Sequence, residues 1–491
     1  MKSLVENRFG LLALVLVALL AMYGVAYVTR PAHTAGGVAA LPPSTQVPVD
    51  TVTTVCPAPS GETVSVVVPV AVGEAVVGSP TTIPAQGVSG VTVAEFRKEG
   101  DPLAILDRHG QVWHEAVETD APLKIFGTGE MAGLESAYTS IETKGKRRGL
   151  SATRCADPVP TTWMIGPGPA AAAVTLHLSN PGTTPVTAEI LVYSGEGPVY
   201  GETDNVVTLQ PGENHRIDVA EFAPSALVLA LEVRASGGRV AAMAEAVLHK
   251  NRGVDWMPHA AAPATRVVVP GVPGGGGGRE LLVAAPGQSA TQVEVKTLTE
   301  DGLQAVSGRE VLDVPAGSVA TMELSGGLGT KPGAVVITSR VPVVAGVVAA
   351  GTGSKKDTAL TAGALPIDLG SVVADNRTEG KQSSHLVLSA PQTEGRVLLQ
   401  MAPREGAPSD PVEVRIPAAR TVNIELPHEK GASSPFAVVV TPLSGSGPVY
   451  GGRILEDRGA AGLMLSVQPL AAARSWTLVP SLTESTATVM P

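Results

Sequence analysis

The chain has 491 residues, 44% of them hydrophobic but only 3% aromatic, and its formal net charge is −10. That length holds about three to five domains of ~100–150 residues, and the acidic balance disfavours nucleic acid, whose phosphates the average field repels. With 55 glycines and 41 prolines beside so few aromatics, the composition predicts Val, Ala, Leu and Ile cores between many turns, short of the disordered class.

Residues Gly10 to Val28 carry no charge, and as a helix such a run would extend ~28 Å, close to the thickness of a bilayer's hydrocarbon core. Lys2 and Arg8, partly offset by Glu6, precede it and Arg30 follows. This asymmetry keeps the N-terminus in the cytoplasm and puts the rest of the chain outside. Residues 1–35 therefore read as a cytoplasmic tip and single-pass transmembrane anchor. The small residues Gly24-Val-Ala26 equally suit a signal peptidase, so cleavage near Ala26 and secretion is the alternative. Residues 36–55, rich in Pro, Thr and Val, form a stalk. Cys56 and Cys155 are the two cysteines. Outside the cytoplasm they are expected to form a disulfide, since their spacing and number suit neither a CxxC redox site nor a zinc site.

Residues 56–158 read as a divergent first β domain, with strands over Thr63–Val72, Ser89–Phe96, Pro122–Phe126 and Met131–Ser140 and an irregular middle from Arg97 to Glu118. Three more regular units follow, over 159–262, 263–368 and 369–470. In each, a short alternating apolar run closes on a proline, at Asn180-Pro181, Ala285-Pro286 and Ala390-Pro391, with a period of 105 residues. A constant period of this length indicates one domain copied in tandem. The clearest copy contains Arg266–Val269, Glu280–Pro286, Gln292–Leu298, Arg309–Val314, a Pro315-Ala-Gly317 turn, Val319–Leu324, Ala334–Thr338 and Pro342–Ala349. Most of these alternate, or are β-branched runs between Gly, Pro and Ser clusters, as strands do. Helical periodicity is confined to the anchor. The pattern predicts an all-β chain of tandem immunoglobulin-like β-sandwich repeats of ~105 residues, standing as separate sandwiches. The alternative is a propeller-like closed array, in which Trp476–Val479 of the terminal strand and tail (471–491) docks on the N-terminal copy.

A second pattern runs through Cys56-Pro57, Cys155 with Pro158 and Trp163, Leu176-His-Leu-Ser-Asn-Pro181, Asp255-Trp256, Val269-Pro-Gly-Val-Pro273 and Pro342-Val-Val-Ala-Gly346. Together these resemble an uncharacterised actinobacterial family of secreted or membrane-anchored proteins, domain-of-unknown-function family 5719. The resemblance implies a cell-envelope protein and assigns neither activity nor functional residues. Pro448-Val-Tyr-Gly-Gly452 departs from the Pro-Val-Val-Ala-Gly form.

The chain offers little covalent chemistry. Gly274 to Gly278 lacks dinucleotide spacing and leads into a strand rather than a helix, and Gly351-Thr-Gly-Ser-Lys355 is too short for a P-loop, so no nucleotide is expected. The densest polar cluster surrounds Asp101 and includes Asp107, His109, Trp113 and His114 as binding candidates. Its histidine spacing fits neither a helical nor a same-face strand pair, so no metal is assigned. Lys144, Lys146, Arg147 and Arg148 read as a solvated hairpin tip. Trp163, Trp256 and Trp476 sit near starts of successive units and suggest packing between them. G-x-S-x-G, H-E-x-x-H and Ser-x-x-Lys sets are missing. These observations lead to a non-catalytic, cofactor-free scaffold or adaptor of the bacterial cell envelope. It is held to the membrane by its helix and binds an envelope protein or cell-wall polymer. One alternative is a glycan-binding module beside envelope glycosyltransferases, favoured by exposed tryptophans and disfavoured by buried ones. Another is a divergent envelope hydrolase, which requires Asp107, His109 or His114 to converge on a nucleophile or metal.

Overall fold

Short Val- and Thr-rich runs bounded by Gly and Pro become strands along almost the whole chain, and the fold is nearly all β. The computed structural model describes residues 16–23, 44–69, 89–96, 100–199, 205–306, 310–352, 355–427, 435–459 and 462–480. Residues 16–23 are helical, and among the described residues no helix is long and apolar enough to cross a membrane. The remainder of Gly10–Val28, stalk residues 36–43 and tail residues 481–491 lie outside the described residues. Ser44–Pro48 pairs with Trp476–Pro480 in a two-stranded sheet. Pro48–Thr477 forms one compact body.

That body contains four successive sandwiches. The first has one sheet of Thr51–Cys56, Leu123–Thr128, Gly90–Glu95 and Ala104–Leu106, and a second of Val112–Glu118, Ser60–Val67, Glu135–Glu142 and Gly149–Arg154. Thr51–Val55, expected as the end of the stalk, is thus part of a strand of this sandwich, because its apolar residues reach the core. The irregular stretch Arg97–Glu118 supplies two of its strands. Cys56 and Cys155 are bonded, with Cα atoms 4.6 Å apart.

The second sandwich centres on Thr161–Pro167, Val186–Ser194 and Val228–Ser236 in one sheet, and on Asn214–Asp218, Ala172–Ser179, Ala241–Leu248 and Val254–Met257 in the other. In the third, one strand, Gly333–Ala350, runs where two were expected. Its first half pairs with Val293–Leu298 and its second with Arg279–Ala284 and Thr358–Ala362, so it serves both layers. The fourth has Ser371–Asn376, Phe436–Pro442, Gly395–Pro403 and Val412–Ile416 facing Arg420–Glu425, Gln382–Ala390, Tyr450–Gly459 and Gly462–Pro469.

Separate sandwiches are not what forms. Gly149–Arg154, Val254–Met257, Thr358–Ala362 and Gly462–Pro469, one edge strand from each sandwich, touch one another in a closed cycle. Apolar clusters fill every junction. Ala241, Met243 and Trp256 join the core of the first sandwich. Trp163 and Ile165 of the second meet Leu282 and Val344 of the third, and Ala359 of the third meets Val387 and Ile454 of the fourth. Val67 and Ala137 of the first meet Val372 and Val439 of the fourth, which closes the ring. Sheets covered on both faces read as continuous apolar runs, as in the buried Val267–Val269. Close approach also demands glycine: a Cβ on Gly271, whose φ is 70°, would lie 2.8 Å from the Gly452 Cα. Gly452 belongs to the segment that departs from the other copies.

Edge strands buried in a ring must still satisfy their N–H groups, and two buried carboxylates do this. Asp357 Oδ2 accepts from the Leu150 N–H at 3.1 Å and the Leu465 N–H at 3.0 Å. Asp255 Oδ2 accepts from the Leu360 N–H at 2.8 Å, and Ser466 Oγ donates to Asp255 Oδ1 at 3.3 Å. Burial lifts the Asp357 carboxyl from 3.8 to about 7. Burial, reinforced by Asp357, also holds the Asp255 carboxyl well above the ordinary range.

A folded-state value above the unfolded one means that protonation favours folding. The contribution is therefore largest below 3.8 and is lost as pH rises through about 7. Asp357→Asn, which keeps an acceptor oxygen, is expected to flatten the fall in stability across that window, read from guanidinium unfolding at a series of pH values. A wild-type minus variant difference independent of pH contradicts the assignment. The disulfide closes a loop with a sequence separation of 99. In the same denaturant series, the Cys56→Ala, Cys155→Ala double variant should lose about 4–5 kcal/mol of unfolding free energy.

Candidate functional site

Alternation along Ala172–Ser179 sends Val174, Leu176 and Leu178 into the core of the second sandwich and leaves Thr175 and His177 on the other face. In a free-standing sandwich that face would meet solvent; here it turns toward the first. Strand register places Arg216 beside His177 and Glu245 beside Trp256. Opposite them stand Pro57 to Thr63, Tyr138 to Glu142 and Arg147 of the first sandwich, with Arg377 of the fourth. The space between them is a cleft of about 720 Å³, within the range of small-molecule and polymer-segment sites.

Its walls are predominantly polar. Arg147 makes a bidentate pair with Glu245, Nη1 to Oε2 at 2.9 Å and Nη2 to Oε1 at 2.6 Å, while its Nε donates to Glu142 at 2.9 Å. One guanidinium thus ties the two sandwiches together at the rim. Deeper in, the Trp256 indole, 3% exposed, is flanked by the Tyr138 ring, edge-on at 5.8 Å, and the His177 ring, tilted at 5.3 Å. Trp256 Nε1 and His177 Nε2 are buried without hydrogen-bond partners. Burial lowers the His177 pKa to about 4, so its imidazole is neutral near pH 7. Burial and then the Glu62 carboxylate push the Tyr138 phenol upward. At the back, Arg377 pairs with buried Asp375 at 2.8 Å, and Thr139 Oγ1 donates to the same carboxylate at 2.7 Å.

The four candidates drawn from the sequence do not converge. Asp107 is exposed and pairs with Arg108 at 3.5 Å. His109 Nδ1 lies 3.1 Å from the Pro69 carbonyl. Trp113 packs on the first core. His114 shares a hydrogen bond with Ser65 Oγ at 2.7 Å, and burial lowers its pKa to about 4. Ser65 is itself 1% exposed, so that Ser–His pair has no open approach for a substrate. Among the described residues no group of three or more His, Cys, Asp or Glu could hold a metal ion. The Gly274–Gly278 loop bends its carbonyls onto Arg279, whose Nε donates to Pro273 O at 2.8 Å and Nη1 to Gly278 O at 3.0 Å. It therefore presents carbonyl oxygens, the opposite polarity to a phosphate cradle.

A family model spans residues 112–427 and thus covers most of the ring and most of the residues that wall the cleft. The chain belongs to the family of unknown function DUF5719. No curated protein and no solved structure matches it.

Sequence reasoning missed the cleft of this DUF5719 protein because its residues come from distant segments. One signal was available: Asp255-Trp256 and His177 fell inside the family pattern without a motif to explain them. In the basic run Lys144 and Lys146 are exposed at the hairpin tip as expected, but Arg147 and Arg148 are not. Arg148 is 6% exposed and donates to the Lys356 carbonyl at 2.8 Å, and Arg147 is the clamp between sandwiches. A hydrogen bond to a charged partner contributes about 1.5–3 kcal/mol. Arg147→Gln should accordingly lower unfolding free energy by about 2 kcal/mol in a denaturant titration. Arg147→Lys should restore only part of it, since an ammonium cannot reproduce the fork.

Proposed function

We propose that this DUF5719 protein is a non-catalytic, extracytoplasmic scaffold of the cell envelope, held to the membrane by residues 10–28, that engages a protein or polymer partner at the cleft between its first two sandwiches. The observation that carries the reading is the closed ring. Four β-sandwich units joined by shared apolar clusters hold the cleft walls against one another. Rigid walls suit binding, because little ordering entropy is then lost when a partner arrives.

Two further features support it. The disulfide suits an oxidising compartment. The strongest charged groups of the cleft are committed to one another, Arg147 to Glu142 and Glu245, and Arg377 to Asp375, an arrangement suited to recognition more than to proton transfer. Among the alternatives, a glycan platform of exposed tryptophans is disfavoured, since Trp163 and Trp256 are 6% and 3% exposed. The hydrolase reading required Asp107, His109 or His114 to meet a nucleophile or metal in a cleft, and the contact of His114 with Ser65 is closed to a substrate.

The test places a photo-crosslinking amino acid in the full chain in cells, either at Ser60 on the cleft rim or at Val311 on a distant exposed edge. Crosslinked partner should be recovered from the Ser60 position and not from Val311 or an anchor-only control. Equal recovery from both positions, or none above the control, overturns the proposal.

A further inference from the structure

We infer that the cleft binds a neutral, hydroxyl-rich ligand: a short saccharide segment of a polymer. The inference deepens the scaffold reading and rests on it.

The first observation is an unmet demand. A buried indole N–H with no acceptor costs about 1–3 kcal/mol, and Trp256 Nε1 carries that cost beside the equally unpartnered His177 Nε2. Both residues line the cleft. An oxygen that reaches it from the cleft would satisfy the Trp256 donor.

The second observation is charge balance. The walls carry Glu62, Glu142 and Glu245 against Arg147, Arg216 and Arg377, equal numbers of each sign. A polyanion would meet the three carboxylates, and a cationic peptide would meet the three guanidiniums. Neither gains a net field. A hydroxyl group both donates and accepts, so a polyol can use carboxylates, guanidiniums and the indole N–H at once.

The third is geometry. The Arg147 fork fixes the Glu142 and Glu245 carboxylates in place. Acceptors held in this way lose no side-chain freedom on binding. Trp256 has neighbouring rings of Tyr138 and His177 against it, so recognition proceeds through its N–H and not through an open stacking platform. That separates this site from the exposed-tryptophan glycan module disfavoured above.

The experiment uses the full chain and four neutral probes, cellotetraose, maltotetraose, mannotetraose and tetra-N-acetylchitotetraose, with tetraglutamate and tetralysine as charged comparators. Binding is read by titration calorimetry and saturation-transfer NMR. One or more of the saccharides should bind one-to-one. Trp256→Phe, which keeps an aromatic ring and removes the N–H, should weaken that binding about 3- to 10-fold. Arg216→Gln, at an exposed position with little bearing on folding, should also weaken it, so a shifted melt in Trp256→Phe does not remove the test. The inference fails if none of the four saccharides binds at millimolar concentration, if both variants bind like wild type, or if a charged tetrapeptide binds in their place. A Ser60 crosslink to a protein without saccharide binding would remove this inference and leave the scaffold standing.

Discussion

One carboxylate touches all four sandwiches. Asp357 belongs to the third, takes backbone N–H groups from Leu150 of the first and Leu465 of the fourth, and lies where a Cβ on Gly253 of the second would intrude. The constraint behind it is general. A ring made from edge strands buries backbone donors that no neighbouring strand can reach, and each must find an acceptor or cost the fold its desolvation energy. Asp357 and Asp255 supply those acceptors, at the expense of holding two carboxyls out of water.

Closure follows from that centre and is reinforced at the seam between the last and first sandwiches. Arg474 pairs with Glu135, reaches Asp157 at 2.6 Å and donates to the Cys155 carbonyl at 3.1 Å. Arg154 pairs with the same two carboxylates, Glu135 at 2.8 Å and Asp157 at 3.2 Å. The seam thus combines an ion network and a disulfide with the apolar cluster of Val67, Ala137, Val372 and Val439. Double-sided burial also accounts for the composition. Sheets packed face to face through Val, Ala and Gly approach closely, and large aromatics would hold them apart.

The cleft is a by-product of this arrangement. The second sandwich must turn a sheet face toward the first, and that face carries both apolar and polar side chains. Where Ala241, Met243 and Trp256 meet the first core, the junction is apolar. Where Arg216, His177 and Glu245 extend beyond it, the walls part and the polar cleft opens.

The strands with strong local signals were legible in the sequence. Glu280–Pro286, Gln292–Leu298 and the Pro315-Ala-Gly317 turn all lie where alternation and turn chemistry placed them, and family membership followed from Asp255-Trp256 and its companions. The four edge strands of the closed cycle were not read. Val254-Asp-Trp-Met257 has an aspartate near its middle and Thr358-Ala-Leu-Thr-Ala362 is short and partly polar, so neither carries the alternation of a strand with one wet face. Pro342 suggested a break, yet Gly333–Ala350 continues through it because the strand there passes from one layer to the other. By itself the sequence determined the β character, the disulfide partners and the family, since each depends on local pattern or on there being only two cysteines. Only the tertiary structure decided that the units close on one another and that Arg147, His177, Glu245 and Trp256 share a cleft. Those facts depend on which sheet faces meet, and a side chain's partner across such a junction leaves no periodicity in its own segment.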